Sequence, residues 1–330
     1  MLLKGLFSGE FTLFRVLFLV KIIEGSSKVK AIVFEKYGPP EVLHLEEIDK
    51  PKPKDDEILV KVMATSVSAG DWRMRKPSPM LARLYNGLFK PKKIKILGFE
   101  LSGIIEEVGG SVKRFKVGDS VFSYLGFKFG GYAEYKCIKE NSFVSLMPNN
   151  LSFEEAAVVP TSSITALSFI RDKAKVKSGQ NTLIYGASGS VGTYALQLAK
   201  FYGAKVTAVC STANLAMVKS IGADKVIDYK TQNFTDTEEK YDLVFDAVNK
   251  TSKKVCAAIL NKSGRYVSVH DSTPKIFPEH LEFIKSLIED EKLKPVIDQV
   301  YNMNDIVEAH KYVERGHKKG NVAVIISHTV

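Results

Sequence analysis

The stretch Thr182-Leu-Ile-Tyr-Gly-Ala-Ser-Gly-Ser-Val-Gly-Thr-Tyr-Ala-Leu-Gln-Leu-Ala-Lys200 leaves few folds open to this chain. Thr182–Tyr185 is a short apolar run followed by small residues, which predicts a strand. Val191, Ala195, Leu198 and Ala199 then fall on one helical face. Between strand and helix lies a tight turn built from Gly186, Ala187, Ser188, Gly189, Ser190, Val191 and Gly192. It reads Ala-x-Gly-x-x-Gly with an extra glycine in front. A missing Cβ at Gly189 lets the backbone approach a pyrophosphate, and one at Gly192 lets the helix pack closely on the strand. The free N–H groups and positive dipole end of the helix complete the cradle. A glycine pattern alone is weak evidence; the flanking elements make this one specific.

The residues downstream repeat the alternation. Lys205–Cys210 predicts a second strand, which ends without an acidic residue. A helix over Asn214–Ile221 and strands over Lys225–Tyr229, Tyr241–Val248 and Arg265–Val269 follow. Strands alternating with helices imply a parallel sheet with right-handed crossovers, and a dinucleotide lies across the carboxyl ends of such strands.

The first half of the chain has a different rhythm. Lys28–Tyr37, Val42–Glu47, Glu57–Ala64, Ile96–Gly110, Val117–Phe122 and Gly130–Tyr135 predict strands separated by Gly- and Pro-containing turns. Residues 28–150 therefore read as all-β. The change of pattern falls near Pro148–Ser152, where Ser152 caps a helix starting at Phe153. At the C-terminus Asn304–Arg315 predicts a helix ended by Gly316, and Asn321–Ile326 a last strand.

Length and charge narrow the function. The chain has 330 residues, enough for about two domains of ordinary size. Its net charge of +10 is spread out, densest in Lys90-Pro-Lys-Lys-Ile-Lys95. That patch reads first as a solvated loop and second as an attractor of anionic ligands. Neither a helix-turn-helix signal nor an aromatic RNA-binding motif occurs, so no nucleic-acid partner is expected. The cysteines Cys137, Cys210 and Cys256 are scattered, which argues against a disulfide framework and predicts a reducing, cytoplasmic setting. Residues 1–28 read as an N-terminal extension. Phe11–Ile23 is interrupted by Arg15 and Lys21 and falls short of the roughly 20 residues a bilayer span needs. An interfacial anchor is the minority reading of that segment.

Taken in order, Gly98-Phe-Glu-Leu-Ser-Gly103, Val117-Gly-Asp119, Gly130-Gly-Tyr-Ala-Glu134, Ala187–Gly192, Val226-Ile-Asp-Tyr229 and Gly316-His-Lys-Lys-Gly-Asn321 carry a resemblance. The chain resembles a zinc-free medium-chain dehydrogenase/reductase of the quinone oxidoreductase branch, the zeta-crystallin-like group. The resemblance spans about residues 28–327. It implies an α/β architecture: a GroES-like, β-rich catalytic domain over residues 29–150 and 295–330, and a Rossmann domain with a doubly wound parallel sheet over 151–294. It also implies NADPH as cofactor, a small-molecule substrate and a homodimer. The turn residues Gly186–Gly192 would bind the pyrophosphate. Thr165 would lie near the nicotinamide ribose and phosphate, and Tyr229, with Ser211 and Thr212, near the adenosine ribose or its 2′-phosphate. Ser68 and Asp71 would line the substrate site, with helix capping as the alternative for Asp71.

Departures from the wider family point the same way. Zinc-dependent relatives carry a ligand cysteine where this chain has Ser68, a ligand histidine where it has Phe99, and a third cysteine near Thr161-Ser-Ser163. Serine and phenylalanine are not Zn²⁺ ligands, so no metal is expected. Zinc-free relatives often place a tyrosine near Arg73; none occurs here, so sequence assigns no proton donor. His270–Pro278 is shorter than in many members, where dimer-forming strands lie. The expected activity is hydride transfer from NADPH to a quinone or activated alkene. The alternatives are a non-catalytic, crystallin-like NADPH-binding protein and a membrane-associated quinone reductase anchored through residues 1–28.

Overall fold

In Lys28–Val33 (β1) Val29, Ala31, Ile32 and Val33 are buried while Lys28 and Lys30 point outward, and the strand pairs antiparallel with His44–Asp49 (β2). A computed structural model describes residues 27–77, 82–271 and 274–327. The expected extensions into residues 1–26 lie outside it. β1 stops at Val33, short of the predicted Tyr37, and Pro40–Val42 forms a 3-10 turn rather than the start of the next strand. Proline at that turn has no N–H to give to a ladder.

The central strand of the β-rich domain is Glu57–Ser66 (β3), whose long apolar run is buried on both faces. It pairs antiparallel with Glu100–Val108 (β4), which continues to Ser120–Tyr124 (β5) and then to Val144–Leu146 (β7). Tyr135–Lys139 (β6) also pairs with β3. The predicted strand Gly130–Tyr135 is thus displaced: regular pairing begins only at Tyr135. Gly130 has φ +103°, and Gly131 packs on Gly98, whose own φ is +98°. A Cβ at Gly131 would stand 2.7 Å from the Glu100 carbonyl oxygen. The two backbones come closer than any other residues permit, and the ladder is interrupted there.

The second unit is a parallel sheet in the order β10-β9-β8-β11-β12. Its strands are Asn181–Tyr185 (β8), Lys205–Cys210 (β9), Lys225–Asp228 (β10), Tyr241–Asp246 (β11) and Leu260–Ser268 (β12). The strand order reverses between β8 and β11, which places a crevice at their carboxyl ends. Ile297–Asn302 (β13) and Asn321–Ile325 (β14) return to the first sheet, where β14 pairs antiparallel with β3. Residues 57–146 and 297–325 therefore share one seven-stranded sheet.

Five of the nine helices printed for the described residues bear on the site. Ala69–Arg75 (α1) follows β3, and Ala82–Asn86 (α2) follows α1. Phe153–Ala157 (α3) leads to Pro160–Leu167 (α4), which packs on Ser190–Phe201 (α5). Ser152 caps α3 as predicted, accepting from Glu155 N while Glu155 reaches back to Ser152 N. The inner face of α5 is Tyr194, Ala195, Leu198 and Ala199, all fully buried against β8 and β9 residues. No helix among the described residues is long and apolar enough to cross a membrane.

Candidate active site

The glycine turn folds as its residues require. Gly186 has φ +75°, a conformation that costs other residues strain, and its carbonyl accepts from Gly189 N at 3.0 Å. Gly189 is the N-cap of α5, and Thr193 N donates back to its carbonyl at 2.9 Å. The N–H groups of Ser190, Val191 and Gly192 have no intrahelical acceptor and face the helix's positive end. A Cβ on Gly192 would lie 2.1 Å from the Gly186 oxygen, so that glycine serves helix–strand packing. One on Gly189 would meet nothing closer than 3.4 Å, so that face of the turn is open.

Above this turn lies a cleft of about 400 Å³. Gly186, Ser188, Gly189, Ser211 and Tyr229 line it, as the sequence reading expects. Ala187 is fully buried beneath it and Gly192 packs behind. Tyr229 is 44% exposed and stacks on Tyr185 with ring centroids 6.4 Å apart. Thr212 stands apart from these. Its hydroxyl donates to Asp228 Oδ2 at 2.5 Å and is not free to hold a phosphate. Thr165, on α4, donates its hydroxyl to the Thr161 carbonyl at 2.7 Å, which is the back-bond of an ordinary helix threonine.

The β-rich unit closes the cleft from the other side. Gly320 N donates to the Ser188 carbonyl at 2.8 Å, and Ser190 Oγ donates to the Gly320 carbonyl at 2.8 Å. Lys318 reaches the same seam, donating to Ser190 Oγ and to the Gly320 carbonyl. Burial pushes its ammonium down to about 8, against the opposing pull of Asp298 and Glu100. Sequence reasoning did not single out Lys318. The only signal was its place inside Gly316–Asn321.

Ser68 and Asp71 sit at the start of α1. Asp71 is fully buried and accepts from Ser68 N at 2.8 Å, Ser68 Oγ at 2.7 Å and Gly98 N at 2.8 Å. Burial pushes its carboxyl up to about 6 even though all three bonds favour the charged form. The expectation that Asp71 lines a substrate site gives way to the capping alternative: its oxygens are consumed in tying α1 to Gly98. Ser68 is partly exposed, with its hydroxyl turned to Asp71. Phe99, next to Gly98, packs on Phe129 at a centroid distance of 4.3 Å.

A second buried carboxyl was missed by the sequence reading. Glu100, on β4, accepts from Ser66 Oγ and from Thr161 N, the latter at 2.6 Å near the start of α4. Burial pushes it up to about 7, and the nearby Asp71 charge adds to that. Glu100 is thus the titrating group at the seam between the two units. Nothing in its neighbourhood in sequence announces this, because its partners come from β3 and α4. Among the described residues no three His, Cys, Asp or Glu side chains gather as a metal site.

Known proteins share this layout. Residues 54–149 match the alcohol dehydrogenase GroES-like domain, and residues 190–287 and 271–324 match zinc-binding dehydrogenase models. A 2-methylene-furan-3-one reductase of Solanum lycopersicum is 34% identical over 321 residues, covering 90% of this chain and 79% of that protein. An NADPH-dependent alkenal/one oxidoreductase of Arabidopsis thaliana is 33% identical with the same coverage of both chains. The solved quinone oxidoreductase of Coxiella burnetii superposes with a TM-score of 0.78 at 29% identity, covering 91% of this chain and all of its own. With a GroES-like sheet, a Rossmann sheet and a phosphate turn latched between them, the chain belongs to the medium-chain dehydrogenase/reductase family, among its quinone and alkenal/one oxidoreductases.

Proposed function

We propose that the protein is an NADPH-dependent reductase of quinones or activated alkenes that works without zinc. The observation that carries this reading is the make-up of the cleft. It opens on a helix N-terminus, takes Lys250 and Lys318 into its walls and has no carboxylate lining it. These features fit a polyanionic dinucleotide. When bound, NADPH supplies a hydride from nicotinamide C4 to the electrophilic carbon of the substrate. The protein's part is to hold the phosphates on the turn at Gly186–Gly192, exclude water along the Gly320 seam, and keep the two units in register. Ser68 remains the candidate for touching substrate. The alkenal/one and quinone oxidoreductases named among the relatives support this substrate class. The reading includes a homodimer, supported by the family resemblance alone, and a reducing compartment, supported by the sparse cysteines.

Zinc does not fit the residues present. Where zinc relatives place ligands, Ser68 donates to Asp71 and Phe99 is packed among aromatic rings. Elemental analysis of protein purified without a metal-affinity tag is expected to show no stoichiometric zinc, and chelators should leave activity unchanged. One tightly held zinc per chain would overturn this part.

The function itself is tested by NADPH oxidation with a simple quinone and with an enone. Turnover with either is expected. Tight NADPH binding without turnover of any quinone or enone would favour the non-catalytic binding protein.

A further inference from the structure

The basic stretch Lys90–Lys95 plays no part in the cofactor cleft. The structure shows what it surrounds. α2 and the loop after it stand out from the β-rich unit beside the Gly126–Lys128 turn. Buried Asn86 fixes the loop: its side chain donates to the Ile94 carbonyl at 3.0 Å and accepts from Ile94 N at 2.7 Å. Tyr85 and Phe127 meet edge-on at 5.9 Å. This fixed projection turns four large apolar side chains outward. Leu84 is 72% exposed, Leu88 53%, Phe89 87% and Phe127 62%. Burying one such side chain is worth about 10- to 100-fold in a binding constant, so a cluster of them calls for a covering surface.

Beside the projection lies a cavity of about 420 Å³ whose walls include Lys92, Lys93, Lys95, Lys128 and Lys136. The carboxylate in its wall, Asp49, pairs with Lys28 at 2.6 Å, and Lys95 pairs with Glu35 at 3.2 Å. Among the described residues no ion pair engages Lys92, Lys128 or Lys136. Burial lowers the affinity of Lys136 for its proton, and the nearby Lys128 charge lowers it further. The cavity therefore has unbalanced positive charge.

We propose that this face docks the protein on an anionic lipid bilayer. Leu84, Leu88, Phe89 and Phe127 enter the boundary between headgroups and acyl chains, and the lysine cavity takes lipid phosphate. Apolar side chains ringed by lysines are the pattern of an interfacial anchor, and anionic headgroups supply the missing countercharge. A free phosphate would leave the apolar residues uncovered. A second copy of this chain, net charge +10, would bring further positive charge against the lysines. This surface is separate from residues 1–28 and from the cofactor cleft.

The test is co-sedimentation of the full chain with phosphatidylcholine vesicles, with and without phosphatidylserine. Binding is expected only with phosphatidylserine and should weaken as salt rises. Phe89→Asp should weaken it by at least tenfold. Lys92→Ala and Lys128→Ala should each weaken it about fivefold. NADPH titration and thermal melting of the variants should match the parent, which separates this inference from the proposed function. No binding by the parent chain overturns the proposal. So does binding that survives Phe89→Asp and the lysine variants, since another segment then carries it. Dissociation of an oligomer by Phe89→Asp, with no vesicle binding, would assign the face to a second copy and also overturn it.

Discussion

Gly189→Val is expected to weaken NADPH binding by about 10- to 100-fold while leaving the protein folded. Gly189 has φ −81° and ψ 175°, which valine adopts without strain. A Cβ there meets Gly186 O at 3.4 Å and Val248 Cγ1 at 3.8 Å, ordinary contacts. The branched side chain then occupies the space the pyrophosphate needs. Overpacking of this kind costs about 1–3 kcal/mol, and each 1.4 kcal/mol is tenfold. Gly192→Ala is the matched contrast. Its Cβ would sit 2.1 Å from Gly186 O and 2.9 Å from the Ala187 backbone, so the helix itself must shift. That variant should lose thermal stability first, and cofactor affinity only as a consequence. Fluorescence titration paired with thermal melts reads both effects. Unchanged NADPH affinity in Gly189→Val would remove this turn from the binding site.

The second large effect concerns which cofactor is used. A moderate preference for NADPH over NADH is expected, and Ser211→Asp should suppress it. β9 ends at buried Cys210, and Ser211 follows on the cleft wall where NAD-specific domains place an acidic residue. A carboxylate about 4 Å from a 2′-phosphate adds repulsion on the order of 1–4 kcal/mol, depending on the effective dielectric. The structure explains why the preference is moderate. Asp228, at the end of the neighbouring strand, accepts from Thr212 Oγ1 at 2.5 Å and Lys230 N at 3.0 Å. The Thr212 bond, foremost, holds its carboxyl below the usual range, so it stays charged near the ribose position. Asp228→Asn should therefore raise the NADPH preference. The measurement is kcat/KM for both cofactors with one quinone. Equal values for the parent, or an unaltered ratio in Ser211→Asp, would show that Ser211 does not adjoin the 2′-phosphate.

Local chemistry made much of this protein readable from its residues. The parallel sheet followed from βα alternation, because period-2 and period-3.6 patterns are written along the chain. The phosphate turn followed from Gly186, Gly189 and Gly192, since each glycine meets a steric demand within its own short segment. Ser152 was readable as a cap because a capping box closes over four residues. What the chain alone left open depended on partners distant in sequence. Asp71 could line a pocket or cap a helix, and the choice was made by Gly98 N arriving from across the fold. Thr212 offered a hydroxyl to a phosphate until β10 set Asp228 beside it. Glu100 and Lys318 acquire their shifted proton affinities from burial at a seam between units far apart in the chain. Burial, and the identity of whatever faces a group across a seam, are properties of packed elements, so only the tertiary structure decided them.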